Sequence, residues 1–155
     1  MKLILLRHGD RSPGFNDVPL SNKGLQQALD LQQKKSLSLI EVLYCSPKKR
    51  AQQTLAPLAQ KLALPIETLS ELDQMRDIET PQDFIQRVQK FIDSLPKTTS
   101  TTWLVCSHSD WLQQAVFLLA NDTQLFAPYS FFSCAEFKTF AYIENEWRYQ
   151  DGFDE

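Results

Sequence analysis

Lys2-Leu3-Ile4-Leu5-Leu6-Arg7-His8-Gly9 sets four consecutive apolar residues directly before a cation, an imidazole and a glycine. A short apolar run with such an ending reads as a buried strand over 2–7 whose carboxyl end presents Arg7 and His8. The triplet suits phosphoryl transfer. Neutral imidazole can attack phosphorus, guanidinium matches phosphate oxygens two at a time, and a glycine lets a ligand approach the main chain. Taken alone, the pair is equally compatible with a strand end facing solvent.

Two further stretches repeat the pattern. Leu43-Tyr44-Cys45-Ser46-Pro47 runs into Lys48, Lys49, Arg50, Ala51, Gln52, Gln53 and Thr54, a strand, a turn and a helix start. Ala51, Thr54, Leu55, Leu58, Ala59 and Leu62 keep helical spacing, which puts Arg50 in the first turn. A cation there opposes the helix dipole unless an anion sits with it, so Arg50 is a candidate phosphate ligand; the other reading is a solvated basic turn. Trp103-Leu104-Val105-Cys106-Ser107-His108 is a second apolar strand ending in an imidazole, with Asp110 opening the next helix. His8 and His108 are the two histidines of the chain, and both fall at carboxyl ends of predicted parallel strands, where open α/β sheets place their ligand crevice.

Strands over 2–7, 40–46 and 102–107 alternate with helices over 22–35, 48–63, 81–95 and 110–120. This βα rhythm predicts an α/β fold, a three-layer α/β/α sandwich with a mainly parallel central sheet. Thr80 caps and Pro81 opens the helix over 81–95, whose Phe84, Ile85, Val88, Phe91, Ile92 and Leu95 form one core-facing stripe. Segments 135–142 and 146–149, joined at Glu144-Asn145, read as paired strands at the sheet edge, and 151–155 as a frayed tail. The 155 residues, 43% of them hydrophobic, suit a single domain over 1–155. A net charge of −3 argues against a general nucleic-acid or anionic-membrane surface. No stretch approaches membrane-spanning length and no signal-peptide core is evident, so the expected compartment is the cytoplasm. Cys45, Cys106 and Cys134 are odd in number and widely spaced, which favours free thiols over disulfides or a metal site. No metal or other cofactor is expected. Trp103, Trp111 and Trp147 read as packing residues, Trp111 being near enough to His108 to line a pocket.

As an ordered set, Arg7-His8-Gly9, Pro19-Leu20-Ser21-Asn22-Lys23-Gly24 with Gln27-Ala28, Ser46-Pro47 through Arg50-Ala51-Gln52-Gln53-Thr54, Leu69-Ser70-Glu71 and Ser107-His108 resemble the histidine phosphatase (phosphoglycerate mutase-like) superfamily. The blocks stand in family order from residue 3 to about residue 120. The resemblance implies phosphorylation of His8, with Arg7, Arg50 and His108 binding the transferring group alongside Gly9. The small size looks most like the short phosphohistidine phosphatase branch typified by SixA. Arg7-His8-Gly9-Asp10-Arg11-Ser12-Pro13 is also similar to the start of the larger histidine acid phosphatases, which makes Arg11 a candidate further phosphate ligand or, alternatively, an exposed loop arginine. That branch follows its later histidine directly with aspartate, whereas here Ser109 intervenes before Asp110.

The arginines would keep His8 neutral for attack while stabilising charge on the equatorial oxygens, and His108, if protonated, would add a donor. Glu71 best matches the family position for the acid that protonates the leaving group; Asp110 and Asp10 are alternatives. An alkoxide needs such an acid far more than imidazole does, whose conjugate acid has a pKa of about 6.5. The expected activity is therefore a metal-independent phosphatase on phosphohistidine in a protein. A phosphatase for a small phosphate ester and a non-catalytic phosphate-binding module are the alternatives. Oligomeric state is left open.

Overall fold

The computed structural model describes residues 1–120 and 130–150; the tail over 151–155 lies outside the described residues. Its elements in chain order are β1 (Lys2–Arg7), α1 (Asn22–Leu31), β2 (Val42–Cys45), α2 (Lys49–Leu62), β3 (Ile66–Thr68), α3 (Pro81–Ser94), β4 (Thr102–Ser107), α4 (Ser109–Leu119), β5 (Phe137–Ile143) and β6 (Glu146–Gln150). The strands form one sheet in the order β3-β2-β4-β1-β5-β6. The first four are mutually parallel, β5 pairs antiparallel with β1, and β6 pairs antiparallel with β5. The fold is mixed α/β with a mainly parallel sheet, as the βα rhythm predicts.

Strand alternation divides the core. Leu3 and Leu5 of β1, with Val105 of β4, point to the face covered by α3 and α4, where they meet Phe84, Val88, Phe91, Trp111 and Leu112. Ile4, Leu6, Leu104 and Cys106 point to the opposite face and pack on Leu31, Ala51, Leu55 and Leu58 of α1 and α2. Successive side chains of a strand face opposite ways, so a strand buried on both faces is apolar throughout, which is how Leu3–Leu6 read.

The helix expected over 22–35 ends at Leu31 and is followed by a single 3-10 turn, Lys35–Leu37. Leu31 and Leu37 are both buried in the α1/α2 side of the core. In a continuous helix they would point roughly 120° apart; breaking the helix lets both reach the same cluster. Strand β3 was not anticipated, since its three residues pair only with β2 and none is fully buried. Thr80 and Asp83 form a reciprocal capping box with Pro81 at the start of α3. Glu144 and Asn145, both at positive φ, close the β5–β6 hairpin in the manner of a two-residue turn. Among the described residues no helix is long and apolar enough to cross a membrane.

Candidate active site

The carboxyl ends of β1, β2 and β4 deliver three groups to one place. His8 directly follows β1, Arg50 lies in the first turn of α2, and His108 immediately follows β4. They line a cavity of about 540 Å³ together with Arg7, Arg11 and Gln74. Arg50 and His108 are each only 3% exposed and His8 5%.

Local bonds fix the His8 ring. Its Nδ1 lies 2.7 Å from the Gly9 carbonyl oxygen, which can only accept, so Nδ1 carries the proton and Nε2 keeps a lone pair. Arg50 Nε donates to that Nε2 at 3.2 Å. Burial, followed by the charges of Arg50, Arg7 and Arg11, lowers the His8 pKa to about 4 against the pull of the Gly9 bond. The imidazole therefore stays unprotonated far below its ordinary range, the state a nucleophile requires.

Arg50 also donates through Nη2 to Gln74 Oε1 at 2.6 Å and to His108 Nδ1 at 3.2 Å. With Nδ1 accepting, neutral His108 carries its proton on Nε2 and donates to Ser46 Oγ at 2.7 Å. Burial, then His8 and the cations of Arg50, Lys48 and Arg7, lower its pKa to about 2. The protonated donor considered from sequence is thus a neutral ring in the unliganded cavity. Burial and the charge of Arg11 push the Arg50 pKa down as well.

Four buried side-chain polar atoms among the described residues lack a hydrogen-bond partner, and Arg7 Nε and Arg50 Nη1 are two of them. Buried donors rarely go unsatisfied. These two belong to guanidinium groups that line the same cavity. Arg7 Nη1 is meanwhile held by Phe132 O at 2.7 Å.

The remaining sequence candidates separate. Arg11 is exposed at the rim of the same cavity. Gly9 does not line it: its N–H donates to Thr54 Oγ1 at 2.9 Å, so the glycine orients His8 instead of offering an amide to phosphate. A Cβ on Gly9 would stand 3.0 Å from the Gly24 carbonyl, which explains the missing side chain. Glu71 also lies outside the lining, because the 3-10 turn Ser70–Leu72 exposes its side chain while its carbonyl accepts from Trp111 Nε1 and Arg87. Asp10 and Asp110 do line the cavity. Asp10 accepts from Ser21 Oγ at 2.6 Å, and Asp110 accepts from the Trp111 and Met75 amides. Trp111 is fully buried and serves packing. The anion at the start of α2 is Asp17, which accepts from Lys49 N at 2.8 Å, so the dipole argument for Arg50 is met by a carboxylate of the chain itself.

Sequence reasoning did not find Gln74, Ser46 as the partner of His108, or Arg87. Arg87 grips the carbonyls of Glu71, Asp73 and Gln74 and both oxygens of Glu79, whose pKa it holds down to about 2. Nothing in a helical polar face distinguishes such a clamp from a solvated arginine.

Residues 3–77 match the model of the histidine phosphatase superfamily (branch 1). That match spans a little under half of the 155 residues and likens this part of the chain to the superfamily. The chain is similar in structure to the alpha-ribazole phosphatase from Shigella flexneri, at 20% identity and a TM-score of 0.78 over 97% of this chain and 95% of that one. The protein histidine phosphatase SixA complexed with tungstate matches at 24% identity and a TM-score of 0.75, over 97% and 94%. The phosphoserine phosphatase of Entamoeba histolytica, a mutant in complex with phosphoserine, matches at 15% and 0.76, over 97% and 95%. At these identities the likeness is one of fold. No curated protein matches the sequence. The family match over residues 3–77 supports a phosphatase enzyme.

Proposed function

We propose that this chain is a metal-independent phosphatase working through a phosphohistidine intermediate on His8. The observation that carries this reading is the His8 Nε2 lone pair, oriented by the Nδ1–H bond to Gly9 and set beside guanidinium groups that retain unpartnered N–H donors. A phosphoryl group entering the cavity would receive the free donors of Arg7 and Arg50, with Arg11 at the rim. In the first half-reaction Nε2 attacks phosphorus and the bond to the leaving group breaks, that group departing with its electron pair. In the second, water attacks the phosphohistidine, releasing phosphate and restoring the Nε2 lone pair. Charge on the equatorial oxygens is stabilised by preorganised guanidinium. The arriving anion also favours a proton on His108 Nδ1, turning that acceptor into a donor.

The substrate we favour is phosphohistidine in a protein. Glu71 lies away from the cavity, and Asp110 already accepts amide bonds through both oxygens. A leaving group that depends little on an acid suits this arrangement, and imidazole, with a conjugate-acid pKa of about 6.5, is one. A small phosphate ester is the second reading, because Asp10 and Asp110 both line the cavity.

Rapid-quench and intact-mass detection of a phosphoenzyme would test the proposal, using a phosphohistidine peptide and para-nitrophenyl phosphate on wild type and His8→Ala. An acid-labile adduct that requires His8 and turns over with the peptide is expected. An adduct from the ester alone would select the small-ester reading. Bound phosphate with neither adduct nor turnover would leave a binding module.

A further inference from the structure

The catalytic cavity continues into a second groove of about 390 Å³, the two sharing Arg11 and Gln74. One wall of the groove is the Gly14-Phe15-Asn16 turn and the other is Met75, Arg76 and Asp77, with Lys48 and Asp73 also lining it. Exposed apolar side chains stand in and next to this lining. Phe15 is 92% exposed, and Ile78, one residue past Asp77, is also 92% exposed. Met75 adds a third partly exposed apolar side chain between them in the sequence of the second wall.

A large apolar group held almost wholly in water in the lining of a groove, with a second just beyond the lining's far segment, marks a surface for a partner. We propose that this groove receives the chain flanking the phosphorylated residue of a protein substrate, an apolar side chain of that chain packing on Phe15 and Met75 and extending to Ile78 just beyond the lining. The inference rests on the phosphatase reading given above and names how the site would select a protein.

Continuity and charge argue for this occupant. The catalytic cavity is already large enough for a small phosphate ester, so the adjoining groove lies beyond what such a substrate fills. Lys48 and Arg76 do not stand as free anion sites, because both face Asp73, at 3.9 and 3.5 Å. Arg11 is the lining cation left without a partner among the described residues, and it stands at the junction, where the phosphoryl group would be. A second phosphate in the groove would therefore meet neutralised charge, whereas an apolar peptide side chain would meet Phe15 and Met75, with Ile78 just beyond. The turn that lifts Phe15 is held in place: Gly14 and Asn16 take positive φ, and Asp17 is tied to Lys49 N. A prepositioned aromatic loses little freedom on binding.

The test compares three probes: phosphoramidate, a peptide whose central phosphohistidine is flanked by leucines, and the same peptide flanked by serines. The proteins are wild type and the double variant Phe15→Ser/Ile78→Ser, both positions being too exposed to endanger the fold. The expected result is a preference of about tenfold in kcat/KM for the leucine-flanked peptide. The double variant should lose that preference and keep its phosphoramidate turnover within about twofold of wild type. Equal kcat/KM for the two peptides in wild type, or an unchanged preference in the variant, would overturn the groove while phosphoramidate turnover leaves the phosphatase standing. Absence of His8-dependent phosphoenzyme with all three probes would overturn the phosphatase itself, and the groove with it.

Discussion

A buried imidazole among guanidinium groups keeps its lone pair where a free imidazole loses it. His8 is lowered to about 4 by burial first and the arginine charges second, so the rate of phosphoenzyme formation should hold level from pH 7 to about 5 and fall below that as Nε2 protonates. Rapid-quench rates with phosphoramidate across that range would show it; a midpoint near 6.5 would mean that neither burial nor the cations keep the ring neutral. Arg50 contributes two nitrogens to the histidines and one free donor to the cavity, and lysine cannot reproduce that fork. Arg50→Lys should reduce kcat/KM on the order of 10²-fold, the scale of losing one preorganised oxyanion donor. Glu71→Gln should leave kcat/KM within about twofold for ester and phosphohistidine alike. A loss of about 10²-fold or more on the ester would instead show that Glu71 turns inward as the acid.

Helices and loops hold these residues through bonds that the sequence only partly discloses. Gln27, Gln53 and Thr54 read as members of a motif; their structural work is to accept from the amides of Asp10, Leu20 and Gly9 and so pin the loop after β1. Gly24 lets α1 approach that loop, since a Cβ there would lie 2.0 Å from the Asp10 carbonyl oxygen. Gly24→Ala should therefore cost about 1–3 kcal/mol in denaturant unfolding, as overpacking against backbone does; an unchanged midpoint would show that α1 can slide. The long elements were legible because their apolar spacing is set by the core they enter, as in α3 with Phe84, Val88, Phe91 and Ile92. Element ends and the short β3 were not, because a three-residue edge strand leaves no period to read. In the same way His8, Arg50 and His108 announce themselves by strand-end position. Gln74 and Arg87 do not, their roles depending on a loop whose course is fixed by tertiary bonds.

The whole molecule carries the cost of keeping two histidines uncharged in its interior. His8 is lowered to about 4 and His108 to about 2, while in the unfolded chain both titrate near 6.5. Between the folded and unfolded values the unfolded state binds more protons, so stability rises with pH in that window. The contribution is fully present above about 7, and it is lost as pH falls through 6.5 towards 4 for His8 and towards 2 for His108. The loss from pH 7 to pH 5 amounts to roughly 2 kcal/mol for each histidine. Glu79 changes with the same sign, but its window lies between 4.5 and about 2 and leaves the range above pH 5 to the histidines. Urea unfolding of wild type at pH 7, 6 and 5 should therefore show a steep loss that His8→Asn and His108→Asn each reduce by about half. A stability independent of pH above 5 would mean that the two rings take up protons in the folded state. An oxyanion such as tungstate should oppose the loss, since binding at 100 times Kd stabilises the folded state by about 2.7 kcal/mol and its charge favours the protonated rings. The protection should thus be greater at pH 5 than at pH 7, and its absence in Arg50→Lys would tie it to this cavity.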